Sequence, residues 1–141
     1  MKRVLFICTK NSARSQMAEG LVNHDLAGKV LAFSAGTDPS SVHPLAVAAM
    51  KEEGIDIAHH RSKGIDEFAA AKFDYVITLC DQANESCPVF FGGTRKLHMG
   101  FDDPAAASGS EAEKLAAFRK ARDQMRESIV RFLFQEIEKE L

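Results

Sequence analysis

The stretch Val4 Leu5 Phe6 Ile7 Cys8 Thr9 Lys10 Asn11 Ser12 Ala13 Arg14 Ser15 decides how this chain is read. Its first four residues are an apolar run that predicts a buried β-strand, and Cys8 stands one residue past it, at the strand's C-terminal end. A short, mostly polar loop then leads to Arg14, where a helix starts. A backbone that turns from strand to helix over so few residues aims several N–H groups at one point, and the open amides and dipole of the helix add positive potential there. An oxyanion fits such a nest. Thr9, Lys10, Asn11, Ser12, Ala13, Arg14 and Ser15 are therefore read as an oxyanion-binding loop with a nucleophile at its floor.

The same field favours thiolate over thiol at Cys8, and the thiolate is the competent nucleophile. Arg14 offers a planar fork that can hold two oxygens of an anion at once, which lysine cannot do. A cysteine six residues before an arginine is common by chance, and its weight here comes from its place at a strand end. The other reading, Cys8 as a small buried apolar residue, leaves the polar loop and Arg14 without a purpose.

Outward from this segment, apolar runs alternate with helical patterns, the signature of an α/β fold with a parallel sheet flanked by helices. Strands are expected at Arg3 to Ile7, Val30 to Ala35, Tyr75 to Leu79 and, at the sheet edge, Lys96 to Met99. Helices are expected at Ser15 to Leu26, from Pro44 to Glu53 with proline in the first turn, at Ile65 to Lys72, and as one long helix from Ser110 onward. In that last helix Leu115, Phe118, Met125, Ile129 and Phe132 are spaced to face the sheet. In open α/β sheets ligands bind beyond the carboxyl ends of the strands, where Cys8, Cys80 and the loop after Met99 all fall.

Composition agrees with a compact enzyme. A chain of 141 residues that is 45% apolar is expected to form one domain, residues 1–141, with a core that needs no disulfide staples. A net charge of −2 without a basic tract excludes a nucleic-acid surface. The N-terminal apolar run is too short for a secretory signal, and no apolar stretch approaches the ~20 residues of a membrane span, so a cytoplasmic protein is expected. Three cysteines in such a reducing compartment are thiols at rest, pointing to nucleophilic or redox chemistry. His59 and His60 lie in a polar stretch and read as surface residues. His24, His43 and His98 lack partners at metal spacing, so no metal and no cofactor is expected.

Two further segments carry chemistry. In Gly100 Phe101 Asp102 Asp103 Pro104, the proline holds Asp103 extended, so that its carboxyl can point across a pocket mouth and protonate a departing oxygen. The dipeptide alone reads as a turn. Cys80 and Cys87 flank Asp81 Gln82 Ala83 Asn84 Glu85 Ser86. In a helix their Cα atoms would stand about 10 Å apart, beyond the roughly 7 Å limit of a disulfide, so a bridge would require unwinding. The intervening Asp, Asn and Ser favour turns over helix interiors. The spacing is too wide for an ordinary zinc site. Two unrelated thiols remain the alternative.

Taken together, Cys8 to Ser15, Gln16 to Gly20, Ser34 Ala35 Gly36, Val76 to Leu79, Cys80 with Cys87-Pro88 and Gly100 to Ala105 resemble the thioredoxin-coupled arsenate reductases built on the low-molecular-weight tyrosine phosphatase fold. The resemblance spans essentially the whole chain and implies a four-stranded parallel sheet. It implies reduction of arsenate to arsenite, with Cys8, Cys80 and Cys87 as a thiol relay, Arg14 binding the anion, Asp103 as acid, and thioredoxin as reductant. Phosphate and sulfate would compete for the cradle without being reduced. Many relatives carry a further cysteine where this chain has Ala13. In relatives that bind potassium near the cradle, Asn11, Glu19 and Ser34 match ligand positions. Lys63 replaces the remaining carboxylate, so an ammonium paired with Glu19 is expected in the cation's place. A small tyrosine phosphatase is the alternative enzyme, with weak side activity on aryl phosphates. It would leave Cys80 and Cys87 unused, and the chain has no Trp and a single Tyr75 to wall a phenyl ring. A phosphocarrier domain would leave Asp103 and both later thiols unexplained.

Overall fold

The computed structural model describes residues 1–81 and 93–140; Cys87 and the segment around it lie outside the described residues. Strands β1 (Lys2–Cys8), β2 (Val30–Gly36), β3 (Phe73–Thr78) and β4 (Gly93–His98) form one sheet in the order β2-β1-β3-β4, and every pairing is parallel. β4 is the edge strand that its weaker apolar pattern predicts, although it starts earlier than the Lys96 expected.

The apolar run at 4–7 becomes the central strand because both of its faces are covered. Val4 and Phe6 enter one core cluster with Met17, Leu21, Phe118 and Met125, while Leu5 and Ile7 enter a second with Ala35, Phe73 and Val76. All four residues are fully buried, as a strand wrapped on both sides requires. Around the sheet run α1 (Arg14–Asp25), α2 (Pro44–Lys51), and a C-terminal pair, α3 (Glu111–Met125) and α4 (Arg131–Lys139). Pro44 occupies the first turn of α2, and the His43 ring nitrogen accepts from the Leu45 amide to cap it. Ser110 and Glu113 form a reciprocal capping box that starts α3.

Two elements differ from the expected ones. Ile65 to Lys72 does not form an α-helix; Ile65–Phe68 forms a 3-10 helix instead. Ile65 and Phe68, three residues apart, both pack on the second core cluster, and Phe68 meets Phe33 and Phe73 edge-on. Strand pairing then takes over at Phe73, leaving too few residues to propagate a helix. The long C-terminal helix carries a π turn at Arg126–Val130 between α3 and α4. Arg126 in that turn reaches both Asp25 (2.7 Å) and Glu53 (2.7 Å), while Met125, Ile129 and Leu133 stay buried on either side of and within it. Among the described residues, no helix is long and apolar enough to cross a membrane.

Candidate active site

At the carboxyl end of β1 the loop turns into α1 around Cys8, whose thiol is free and buried. The loop's carbonyls are occupied on its outer side. Thr9 O accepts from the Asp38 amide (2.9 Å), Lys10 O from the Ser40 amide (3.2 Å) and the Ser62 hydroxyl (2.8 Å), and Ser12 O from the His43 amide (3.0 Å). In a planar trans peptide the following N–H points opposite to the carbonyl. The amides of Lys10, Asn11 and Ala13 therefore face away from those partners. No side chain caps the N-terminus of α1, which leaves its dipole facing the same space. Gly36 makes the fit possible, since a Cβ there would stand 2.5 Å from Thr9 O and 2.8 Å from Asn11 N.

The pocket above this floor has a volume of about 250 Å³ and is lined by Cys8, Thr9, Lys10, Ser12, Ala13 and Arg14, with Asp103 and Ala105 at its side. Arg14 is buried, and its Nη1 donates to the carbonyls of Phe101 (3.2 Å) and Leu79 (3.5 Å). Asp103 serves both readings of its dipeptide. Its Oδ1 accepts from the Ala105 amide (3.0 Å) and caps the short turn Pro104–Ala106, while its Oδ2 lies 3.8 Å from Arg14 Nη2. Lys10 pairs with Asp38 at the rim.

Asn11 and Ser15 stand behind the pocket wall. Asn11 adopts φ 49, in the left-handed region, which asparagine tolerates better than most residues. Its Nδ2 donates to Ser15 Oγ (2.7 Å), and Ser15 Oγ lies 2.9 Å from Cys8 Sγ. Deeper still, Ser34 Oγ donates to Glu19 Oε1 (3.0 Å), and Lys63 Nζ stands 3.9 Å from the same oxygen. Burial pushes the Glu19 carboxyl up and the Lys63 ammonium down, each partly offset by the other's charge. Lys63 Nζ also donates to Arg61 O (3.0 Å). The donor set does not fit potassium, because the chain's own cation already faces Glu19.

His60 corrects its sequence reading. It is half-buried rather than superficial, with Nδ1 3.0 Å from Glu19 Oε2 and 3.0 Å from Gln16 Oε1. Burial pushes it down to about 4, so it is neutral at pH 7 and donates through Nδ1. His59 beside it is exposed as expected.

Register places the second thiol at the same end of the sheet as Cys8. Ile7 pairs with Thr78, the last residue of β3, and the Leu79 amide donates to Ile7 O (2.8 Å), so Leu79 stands level with Cys8 and Cys80 follows two residues past the end of β3. Cys80 is buried and disulfide-bonded, against the expectation of three resting thiols. The structure thus holds Cys80 oxidised and Cys8 reduced.

The model of a known family, low molecular weight phosphotyrosine protein phosphatase, matches residues 3–141. The chain belongs to this family. Within it, the arsenate reductase of Halalkalibacterium halodurans is 45% identical over 131 residues, 93% of this chain and 94% of that one. A solved arsenate reductase in the phosphate-binding state superposes with a TM-score of 0.82 at 38% identity, over 97% of this chain and 99% of its own. A thioredoxin-dependent arsenate reductase from Corynebacterium glutamicum gives a TM-score of 0.69 at 27% identity, over all of this chain and 64% of its own. The low molecular weight phosphatase fold expected from the resemblance is the one observed. In this member of the family, sequence reasoning passed over Gln16 and His60, which meet each other across 44 residues of chain.

Proposed function

We propose that the chain reduces arsenate to arsenite through a relay of Cys8, Cys80 and Cys87 that thioredoxin resets. It is an arsenate reductase of the low molecular weight phosphatase family. The observation that supports the relay is a free Cys8 at the floor of the loop together with an oxidised Cys80 just past the end of the adjacent strand.

The loop amides and Arg14 hold the arsenate oxygens. The Cys8 thiolate attacks arsenic, forming a sulfur–arsenic bond, and a hydroxyl departs as water with a proton delivered by Asp103. The Cys80 thiolate then attacks the Cys8 sulfur. A disulfide forms, the sulfur–arsenic bond breaks, and its electron pair stays on arsenic, which leaves as arsenite. Arsenic has gained two electrons and two sulfurs have lost one each. Cys87 next attacks Cys80, releasing the Cys8 thiolate, and the dithiol of thioredoxin takes over the remaining bridge. An oxidised Cys80 beside a free Cys8 is the state through which such a cycle passes once the bridge has left the pocket.

Glu19, Ser34 and Lys63 would hold the rear of the loop rather than touch the anion. Phosphate and sulfate, similar in charge and shape to arsenate, would bind the same amides and compete, and thiols do not reduce phosphate. The cytoplasm supplies the reducing partner. A weak phosphatase side activity on aryl phosphates would follow from the same Cys8, Arg14 and Asp103.

The test is NADPH consumption with thioredoxin, thioredoxin reductase and arsenate. Cys8→Ser, Cys80→Ser and Cys87→Ser should each abolish multiple turnover. A Cys87→Ser protein that turns over like the unmodified one would overturn the relay.

A further inference from the structure

We propose that Gln16 is a positioning residue that fixes the direction of the hydrogen-bond chain ending on the Cys8 sulfur. This deepens the reduction proposed above and rests on Cys8 being its nucleophile. Gln16 is fully buried in the first turn of α1. Its Nε2 faces three carbonyl-type oxygens, Asn11 O (3.2 Å), Asn11 Oδ1 (2.9 Å) and Arg61 O (2.9 Å), none of which can donate. The amide nitrogen must therefore point at them, and Oε1 must face His60 Nδ1, which supplies a proton at 3.0 Å.

That orientation propagates. Asn11 Oδ1 receives protons from Gln16 Nε2 and from the Lys63 amide (2.8 Å), so the Asn11 side chain has one allowed orientation, with Nδ2 toward Ser15. With one lone pair of Ser15 Oγ taken by Asn11, the hydroxyl proton is free to point at Cys8 Sγ, 2.9 Å away. Were the Asn11 amide reversed, its oxygen would capture the serine proton and the sulfur would lose its donor. Gln16 also bonds the backbone carbonyl of Asn11, the loop residue held in the left-handed region. A single buried carboxamide thus sets the sign of the dipole that meets the nucleophile. Lys10, Arg14 and Asp103, the charged groups that line the pocket itself, are not contacted by it in any of these bonds.

The readout is alkylation of Cys8 by iodoacetamide at pH 7 in protein carrying Cys80→Ser and Cys87→Ser, so that one thiol reports. Gln16→Glu places a carboxylate against the three oxygens and should slow alkylation about tenfold, the low end of what losing a hydrogen bond to a charged group costs. Gln16→Met, which removes the donors without adding charge, should slow it less and carries the test if Gln16→Glu does not fold. Added to Ser15→Ala, either substitution should change the rate less than about twofold, since the link it acts through is already gone. Unaltered alkylation in both variants, or an undiminished effect in the Ser15→Ala protein, would overturn the proposal. Alkylation needs no arsenate, so a failure of the unmodified protein to reduce arsenate would refute the proposed function while leaving the answer on Gln16 intact.

Discussion

Arg14 Nη2 lies 3.8 Å from Asp103 Oδ2, and the two side chains differ sharply in exposure, 4% against 41%. The distance is too long for a hydrogen bond and short enough for the charges to feel each other. The arginine is pinned from behind by two backbone carbonyls, whereas the aspartate is tied to the Ala105 amide at the pocket rim. A rigid cation suits binding an anion that must not move. A solvent-facing carboxyl suits giving up a proton and regaining it from water.

Asp103→Asn separates these roles. Asparagine keeps an oxygen for the Ala105 amide, so the turn at Pro104–Ala106 and the melting temperature should be preserved, and only the proton is lost. We expect kcat for arsenate reduction to fall by about 10²- to 10⁴-fold, with KM changed by less than about threefold. Steady-state kinetics over arsenate concentration checks this, and an unaltered kcat would remove Asp103 from the chemistry.

The role of Gly36 leads to a prediction of a different kind. Its nearest neighbours are backbone atoms of Thr9 and Asn11, which cannot swing aside as a flexible side chain would. Gly36→Ala must push the loop off the end of β2. A loss of about 1–3 kcal/mol is expected from overpacking at a site that cannot relax, together with loss of the thermal stabilisation by phosphate that is expected of the unmodified protein. Thermal melts with and without phosphate read both effects. A variant that is stabilised by phosphate as before would show that the loop tolerates the displacement.

The local part of this architecture was legible because it is written in contiguous residues. The run at 4–7, the polar loop and Arg14 lie within one turn of chain, and the strand–helix alternation follows from short windows. Asp103 was legible as either a turn or an acid because one carboxyl does the work of both, one oxygen capping and the other facing Arg14. His60 misled because its polar neighbours in sequence hide partners elsewhere; Gln16 is 44 residues away. The same distance hid Gln16, which in sequence is an ordinary polar residue near a helix start. The region from Ile65 to Lys72 carries helix-forming alanines, yet packing of Phe68 against Phe33 and the pull of the Phe73 strand outweigh that preference.

Lys63 makes a potassium test informative. Its ammonium stands 3.9 Å from Glu19 Oε1 and bonds Arg61 O, in the neighbourhood where some relatives are expected to hold a cation. Rates and melting temperatures should be equal in sodium and potassium chloride at matched ionic strength. Lys63→Met should cost about 1–3 kcal/mol by leaving the buried carboxylate without its charge partner. Activity that rises several-fold in potassium would show that the ammonium does not take the cation's place.

Acid stability should be governed by the clamp between α2 and α3. Glu52, just past α2, accepts from Arg119 Nε (2.9 Å) and Nη2 (2.6 Å) and from Arg122 Nη1 (3.0 Å). Hydrogen bonding from Arg119 is the largest influence and brings the carboxyl down from 4.5 to about 2. Asp25 is held below its usual range in the same way by Arg126. In the unfolded chain both carboxyls take up protons at higher pH than in the folded one, and for Glu52 the unfolded state binds more protons across the window from 4.5 to about 2. The stabilisation is therefore complete above that window and is lost as pH falls through it. Urea midpoints between pH 7 and pH 2.5 should decline along this limb in the unmodified protein. In Glu52→Gln the midpoint should start lower at pH 7 and fall less steeply, because the group that loses its charge is gone. An acid limb of the same slope in Glu52→Gln would place the proton uptake on other carboxyls and leave the Arg119 and Arg122 contacts as surface pairs of no consequence for stability.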